Sequence, residues 1–241
     1  MQILRSTSHS PAYNSALEEF LYRRSTIEPS LLLYRNSSSV LIGRNQNVRR
    51  EADVEWCEKH DVSIIRRISG GGAVYHDLGN LNYAFVVERS GYTPDKYVGI
   101  ALEALRSLGL KNARVNEHHS IWCGEGKVSG SAFALGKSAL VHGCILVETD
   151  LEMLSSALNG DPTAESAGAA IDSVRVPVVN ASSLVASIGI DSVQNAIIYQ
   201  TDSQLGCELV SVDCEAFAET EEFKILENKY SSRAWNMEKH C

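Results

Sequence analysis

The chain has 241 residues, enough to bury a substantial core in one large domain or two small ones, and its 44% hydrophobic and 22% charged residues are ordinary for a globular protein. A formal charge of −8 excludes a general nucleic-acid binder, which needs a basic face, and no apolar run reaches the about 20 residues of a membrane span. Six scattered cysteines (57, 123, 144, 207, 214 and 241) form no CxxC pair, and the N-terminus Met1–Ser6 has no apolar leader segment. The expectation is a protein of the cytoplasm or an organelle matrix with reduced thiols.

In chain order, Ser10 as N-cap and Pro11 at the first helical position predict a helix whose buried face carries Tyr13, Ala16, Leu17, Phe20 and Leu21. Leu31–Tyr34 and Val40–Ile42 read as strands with Asn36–Ser38 as the turn between them. Glu51–His60 reads as a short polar helix, and Val62–Arg67 as a strand. Alternating segments follow at Ala73–Tyr75 and Leu81–Phe85.

Thr93-Pro94 opens a helix with Tyr97, Ala101, Leu105 and Leu108 on its buried stripe and Gly109 as its stop. Strands are predicted at Ser120–Cys123, Val128–Phe133 and Ala139–Val147, then a helix capped by Asp150 through Leu158. Asp161–Asp172, rich in Ala, Gly and Ser, reads as a loop, either a plain surface connection or an active-site lid. Val176–Val179 is β-rich, Asp191-Ser192 opens a helix through Tyr199, and the last helix covers about Thr220–Tyr230. No linker divides the chain, which predicts one α/β domain with an antiparallel or mixed sheet.

The chemically suggestive stretch is Arg66-Arg67-Ile68-Ser69-Gly70-Gly71-Gly72-Ala73-Val74-Tyr75-His76-Asp77-Leu78-Gly79-Asn80. Consecutive glycines let a backbone approach a ligand and turn N–H groups inward as an anion nest, and a guanidinium clamps phosphate or carboxylate with a planar fork. Arg44, Arg49, Arg50, Arg66 and Arg67 form a basic locus in an acidic chain, which points to a small anionic ligand. No Walker loop and no Gly-x-Gly-x-x-Gly is present. The glycines alone fit a flexible turn as well as a binding loop.

The whole string resembles the signature of lipoate–protein ligases. Leu41-Ile42-Gly43-Arg44-Asn45-Gln46-Asn47 and Gly126-Lys127-Val128-Ser129-Gly130-Ser131-Ala132, with Val141-His142-Gly143, match in the family's order. The resemblance covers about Leu32 to Met237. It implies the biotin/lipoate ligase fold, a mixed and mostly antiparallel sheet flanked by helices. It implies ATP-dependent activation of lipoate or octanoate to acyl-AMP and transfer to a lysine of a lipoyl-domain or glycine-cleavage-H-like carrier.

On this resemblance Lys127 is the catalytic residue, touching acyl carbonyl and α-phosphate. Arg67, Gly72, Ala73, Val74, Tyr75 and Asn80 join it around ATP. Leu17, Tyr34, Arg67, Ser69, Gly70, Gly71, His76, His142 and Gly143 join it around lipoate. A fixed cation and inward N–H groups suit the charge on the phosphorus under attack. Asn82 is, with Asn80, a candidate for holding nucleotide or sugar groups, the plain reading being turn and strand-edge hydrogen bonding.

Two departures stand out. Where the family has Asn-Asp before Ile121, an Asp thought to help hold Mg2+ and phosphates, this chain has His119-Ser120, or Asn116-Glu117 in a gapped alignment. The metal ligands are therefore open, and His118-His119 lacks a third ligand at suitable spacing. The family's small accessory domain after Tyr-x-x-x-x-Trp-Asn has no counterpart after Tyr230–Asn236, which predicts a single catalytic domain with a separate small subunit, or a transferase using preformed lipoyl-AMP. Acyl transfer between carriers through a cysteine thioester is the alternative; Cys123 and Cys144 read instead as buried strand residues. A non-catalytic module for lipoylated proteins is a third. The Gly-Arg-Gly-Arg-x-Gly loop of biotin ligases is absent.

Overall fold

The computed structural model describes residues 1–24, 29–165 and 171–238. Strand β1 (Gln2–Arg5) precedes helix α1 (Pro11–Arg24), β2 (Ser30–Tyr34), β3 (Ser39–Ile42), α2 (Val48–Glu51), α3 (Val54–Lys59), β4 (Ser63–Arg66), β5 (Val74–His76) and β6 (Asn80–Glu88). There follow α4 (Pro94–Ser107), β7 (Arg114–Val115), β8 (Ile121–Cys123), β9 (Gly126–Leu135), β10 (Ser138–Leu146) and α5 (Leu151–Ala157). The last elements are α6 (Ala181–Leu184), α7 (Ile190–Leu205), β11 (Val210–Val212), α8 (Glu215–Ala218), α9 (Glu221–Ser231) and α10 (Arg233–Met237).

Eight strands form one sheet in the order β11-β1-β2-β6-β10-β9-β8-β7, and β4-β3-β5 form a second. Pairing is parallel at β11–β1, β1–β2 and β3–β4, and antiparallel at the other neighbours. The expected mixed, mostly antiparallel sheet with flanking helices is what the chain builds. Period-two alternation sorts the large sheet's side chains. Leu31, Leu33, Leu81, Tyr83, Phe85 and Val141 pack with α4 and α7 on one face. Leu32, Tyr34, Ala84, Val86 and Leu140 pack with α1 and α9 on the other. A third cluster joins the small sheet to α2, α3 and α5.

Two predicted turns prove to be crossings. Asn36–Ser38 links strands of different sheets, and β4 and β5 lie on either side of β3 instead of pairing with each other. The glycine-rich segment therefore passes over the end of β3. There an added Cβ on Gly43 would lie 2.1 Å from the Gly71 carbonyl oxygen. Only Gly71 of the three consecutive glycines has positive φ, at 88°.

Most helix starts fall where the caps predict. Tyr13 N–H donates to Ser10 Oγ, Glu152 and Met153 N–H donate to Asp150 Oδ1, and Phe223 N–H donates to Thr220 Oγ1. The helix predicted over 51–60 is α3, shortened to Val54–Lys59 because Asp53 caps its start by accepting the Trp56 N–H, and the separate turn of α2 ends at Glu51 before it. Helix α7 starts at Ile190 instead of after Asp191, with Gly189 N–H donating to Ser192 Oγ, and continues six residues past Tyr199 to Leu205. The thiols of Cys57, Cys123, Cys144, Cys207 and Cys214 form no disulfide among the described residues; Cys241 lies outside them.

Candidate active site

Between the two sheets lies a cavity of about 440 Å3, with Tyr34, Arg67, Gly71, Gly72, His76, Lys127 and His142 among its walls. A second cavity of about 330 Å3 adjoins it, lined by Ala73, Val74, Tyr75, Leu146, Leu154 and residues 173–178. Ala73, Val74, Lys127, Gly130 and Cys144 belong to both. The Lys127 side chain thus stands where the two spaces meet, and the glycine bend forms the wall of the first.

Lys127 is placed by backbone. It is the second residue of β9, its N–H donates to Pro177 O at 2.9 Å, and its carbonyl accepts the Val179 N–H at 3.0 Å. Its Nζ folds back over Gly130, where a Cβ would lie 3.0 Å from it, so a side chain at 130 would crowd the ammonium. Burial, with Arg67 nearby, holds the ammonium below the usual lysine range, and Cys144 acts in the opposite direction.

Arg67 does not present a free fork. Its Nε donates to Ser69 Oγ at 3.0 Å, Nη1 to Leu41 O at 2.9 Å, and Nη2 to both Gly70 O and Gly72 O at 2.7 Å. The guanidinium braces the bend from within, and burial lowers its pKa to about 10, which leaves it charged at neutral pH. Arg66 points elsewhere: its guanidinium donates to the carbonyls of Gly43, Arg44, Gln46, Trp235 and Asn236. The sequence reading of Arg66 as part of the anion cradle is corrected accordingly.

A buried chain of polar contacts supports the brace. His142 Nε2 is 2.7 Å from Ser69 Oγ, and its Nδ1 is 2.9 Å from Glu18 Oε2, which fixes Nδ1–H toward the carboxylate. Tyr34 OH donates to the same carboxylate at 2.9 Å. His76 accepts from Asn36 Nδ2 at 3.1 Å on Nδ1. Burial, reinforced by Arg67 and His142, lowers its pKa to about 3, so it is neutral with its proton on Nε2.

Of the site residues expected from sequence, Tyr34, Arg67, Gly71, Gly72, Ala73, Val74, Tyr75, His76, Lys127, His142 and Gly143 line one or both cavities. Four do not. Leu17 is in the core beneath, Ser69 is buried behind Arg67, and Gly70 faces a separate surface groove with Arg44 and Trp235. Asn80 ties its own turn, accepting the Asp77 N–H at 2.7 Å and donating to Tyr75 O. Each follows from alternation or turn geometry that a motif string does not display.

The sequence reading missed Trp122, and it assigned Ile171–Val178 partly to a loop and partly to a strand. In the structure that segment walls both cavities, and only Val178 forms a bridge, to Lys127. Ser173 Oγ accepts the Ala73 N–H at 2.7 Å, Gln46 reaches Ser173 and Ile171, and Arg50 pairs with Asp172. Residues 166–170 of the predicted lid lie outside the described residues. The β-rich run Val176–Val179 was the available signal. Cys144, read as a plain buried strand residue, is buried on β10 but lines both cavities. Burial raises its pKa despite Lys127 and Arg67, which leaves a weak nucleophile.

The cavities offer a magnesium ion no all-protein cage. Among the described residues no three His, Cys, Asp or Glu side chains converge to hold a metal. Of the cavity carboxylates, Asp172 pairs with Arg50 and Glu51 accepts the Ser173 N–H. At the departure noted in the sequence, Asn116 Oδ1 is occupied by the N–H groups of His118 and Ser120.

Comparison with known proteins decides the family. Residues 10–201 match the lipoyl protein ligase A/B catalytic domain. The chain is 32% identical over 232 residues to lipoate–protein ligase 1 of Staphylococcus aureus, covering 94% of this chain and 70% of that one. This chain belongs to the lipoate–protein ligase A family. A Schizosaccharomyces pombe protein provisionally named lipoate-protein ligase A is 42% identical over 182 residues, 74% of this chain and 50% of that one, so the match spans half of that relative.

Solved family structures agree. A lipoate-protein ligase A bound with ATP superposes with TM-score 0.82 at 31% identity over 98% of each chain. A Thermoplasma acidophilum ligase with bound lipoic acid gives 0.81 at 30%, again over 98% of each. A third structure describes a bi-partite lipoate protein ligase and its E2 lipoyl domain from that archaeon; it gives 0.79 at 29%, covering 98% of this chain and 95% of that one.

Proposed function

We propose that this chain is the catalytic part of an ATP-dependent lipoate–protein ligase. It activates lipoate or octanoate to acyl-AMP and passes the acyl group to a lysine of a lipoyl-domain or glycine-cleavage-H-like carrier. The observation that carries this reading is the position of Lys127 on the wall shared by two cavities. The larger one, with Tyr34, His76 and His142, suits the acyl chain and its carboxylate. The smaller one, with Ala73–Tyr75 and the leucines of β10 and α5, suits a nucleoside. A half-buried ammonium at the junction faces the acyl carboxylate and the α-phosphate together, so it lowers the charge repulsion between them.

In the first step a carboxylate oxygen attacks the α-phosphorus and pyrophosphate leaves. Lys127 steadies the charge gathering on the phosphoryl oxygens, and the braced bend holds the reactants in line. In the second step an acceptor lysine amine attacks the acyl carbon, the acyl–phosphate bond breaks, and AMP departs. With a pKa of about 3, His76 is too weak a base to take the amine's proton near pH 7, so its part is to orient through Nε2–H.

The archaeal bi-partite ligase, matched over 95% of the aligned chain, supports an acceptor lipoyl domain and a separate subunit for this protein too. The test is pyrophosphate release from ATP and lipoate, measured with the chain alone and with such a subunit. Release that requires lipoate supports the ligase. Failure to release it under both conditions, with transfer from synthetic lipoyl-AMP intact, would make the chain a transferase.

A further inference from the structure

Asn82 is 1% exposed and lines the larger cavity, yet neither its Oδ1 nor its Nδ2 has a hydrogen-bond partner. Buried polar groups are almost always paired, so an amide with both ends open calls for an explanation. The polar groups around it are committed elsewhere: Tyr34 and His142 to Glu18, His76 to Asn36. Nothing in its own turn or strand edge uses it, unlike Asn80.

Its position says what it meets. Tyr34, Asn82, Cys144 and Gly130 are successive cross-strand partners on β2, β6, β10 and β9, and all four line the cavity. The Lys127 ammonium sits over the Gly130 end of this row. Two strand spacings of about 4.8 Å separate Gly130 from Asn82. A saturated acid lying along the row with its carboxylate at Lys127 reaches Asn82 after roughly six to eight carbons joined by bonds of about 1.5 Å. Octanoate presents only methylene and methyl groups at that depth. Lipoate presents sulfur, carried on its sixth and eighth carbons, and a polarisable sulfur accepts weakly from N–H.

We propose that Asn82 is a specificity-determining residue that favours the sulfur-bearing acyl chain over a plain fatty one of the same length. The inference rests on the acyl-binding reading of the cavity and deepens it. A plain chain covers the amide and leaves it unpaired, whereas a dithiolane gives Nδ2–H an acceptor. A site with a buried polar group discriminates against the analogue that cannot pair with it.

The test uses three acids without ATP: lipoate, octanoate and 5-cyclopentylpentanoate, which keeps the ring's shape and lacks its sulfurs. Calorimetric titration of the unaltered chain should show lipoate binding about tenfold more tightly than the carbocyclic acid. In Asn82→Leu, which is close in volume and apolar, the two affinities should come within about twofold, with the carbocyclic acid gaining. Equal binding of lipoate and the carbocyclic acid to the unaltered chain would overturn the proposal, as would an equal loss of both in the variant. If Asn82→Leu does not fold, the comparison on the unaltered chain still decides. Should none of the three acids bind, the acyl-binding reading itself fails, a different outcome from indifference to sulfur.

Discussion

His76 is buried beside two groups that oppose its protonation, so the native state takes up its proton only near pH 3. The unfolded chain takes it up near 6.5. Between those values the unfolded state holds more protons, so the contribution is complete above about pH 6.5. It is lost toward pH 3 at roughly 1.4 kcal/mol per pH unit. Urea unfolding at pH 7.5 and 5 should show this fall, and His76→Gln should flatten it by about one proton's slope. An unchanged slope would show that His76 is not the group responsible.

The glycines differ in a way their string hides. A Cβ at Gly43 would strike the Gly71 carbonyl, whereas one at Gly70 meets nothing within 4 Å. Gly43→Ala should therefore displace the bend and lower pyrophosphate release by about 100-fold. Gly70→Ala should stay within about twofold and within about 0.5 kcal/mol of the parent in stability. The adjacent Arg66 and Arg67 were both legible as cations near an anion site. Where their donors go was not: those of Arg66 reach a loop from 43 to 46 and α10, far away in sequence, and those of Arg67 reach Leu41 on β3 and the carbonyls of Gly70 and Gly72 only because the bend curls back over them.

At the scale of elements, α10 is the least expected piece, since five residues carry no periodic signal. It is held by specific bonds: Asn236 Oδ1 accepts the Arg66 N–H at 2.9 Å, Asn236 Nδ2 donates to Tyr230 O at 2.7 Å, and Trp235 Nε1 donates to Arg66 O at 2.7 Å. Asn236→Ala leaves the Arg66 N–H and the Tyr230 carbonyl without this partner and should cost about 1–3 kcal/mol, read as a lower urea midpoint with unchanged m-value. An undiminished midpoint would mean that α10 adds nothing to the fold. The outermost pair β1 and β11 at one side of the large sheet was missed for a related reason: each strand is short, and their parallel pairing joins residues 2–4 to 210–212. The inner strands were readable because both of their faces are buried and apolar residues alternate between clusters.

Across the whole molecule, the two sheets leave a pair of adjoining cavities, and residues more than fifty positions apart meet on their walls. The motif string named both partners, the glycine bend and Lys127, and their convergence is what the fold adds. Wall residues such as Trp122 and Ser173 were not legible, because their role depends on where β8 falls in the sheet order and on how the 171–178 segment folds over the cavities. The central claim is that Lys127 acts at the junction of acyl group and phosphate. The most direct measurement is the intact mass of an unmodified lipoyl-domain acceptor after incubation with the chain, its small subunit if one is required, ATP, magnesium and lipoate. A lipoyl mass increase with the unaltered chain that disappears with Lys127→Ala is the predicted result; the same increase with Lys127→Ala would contradict it.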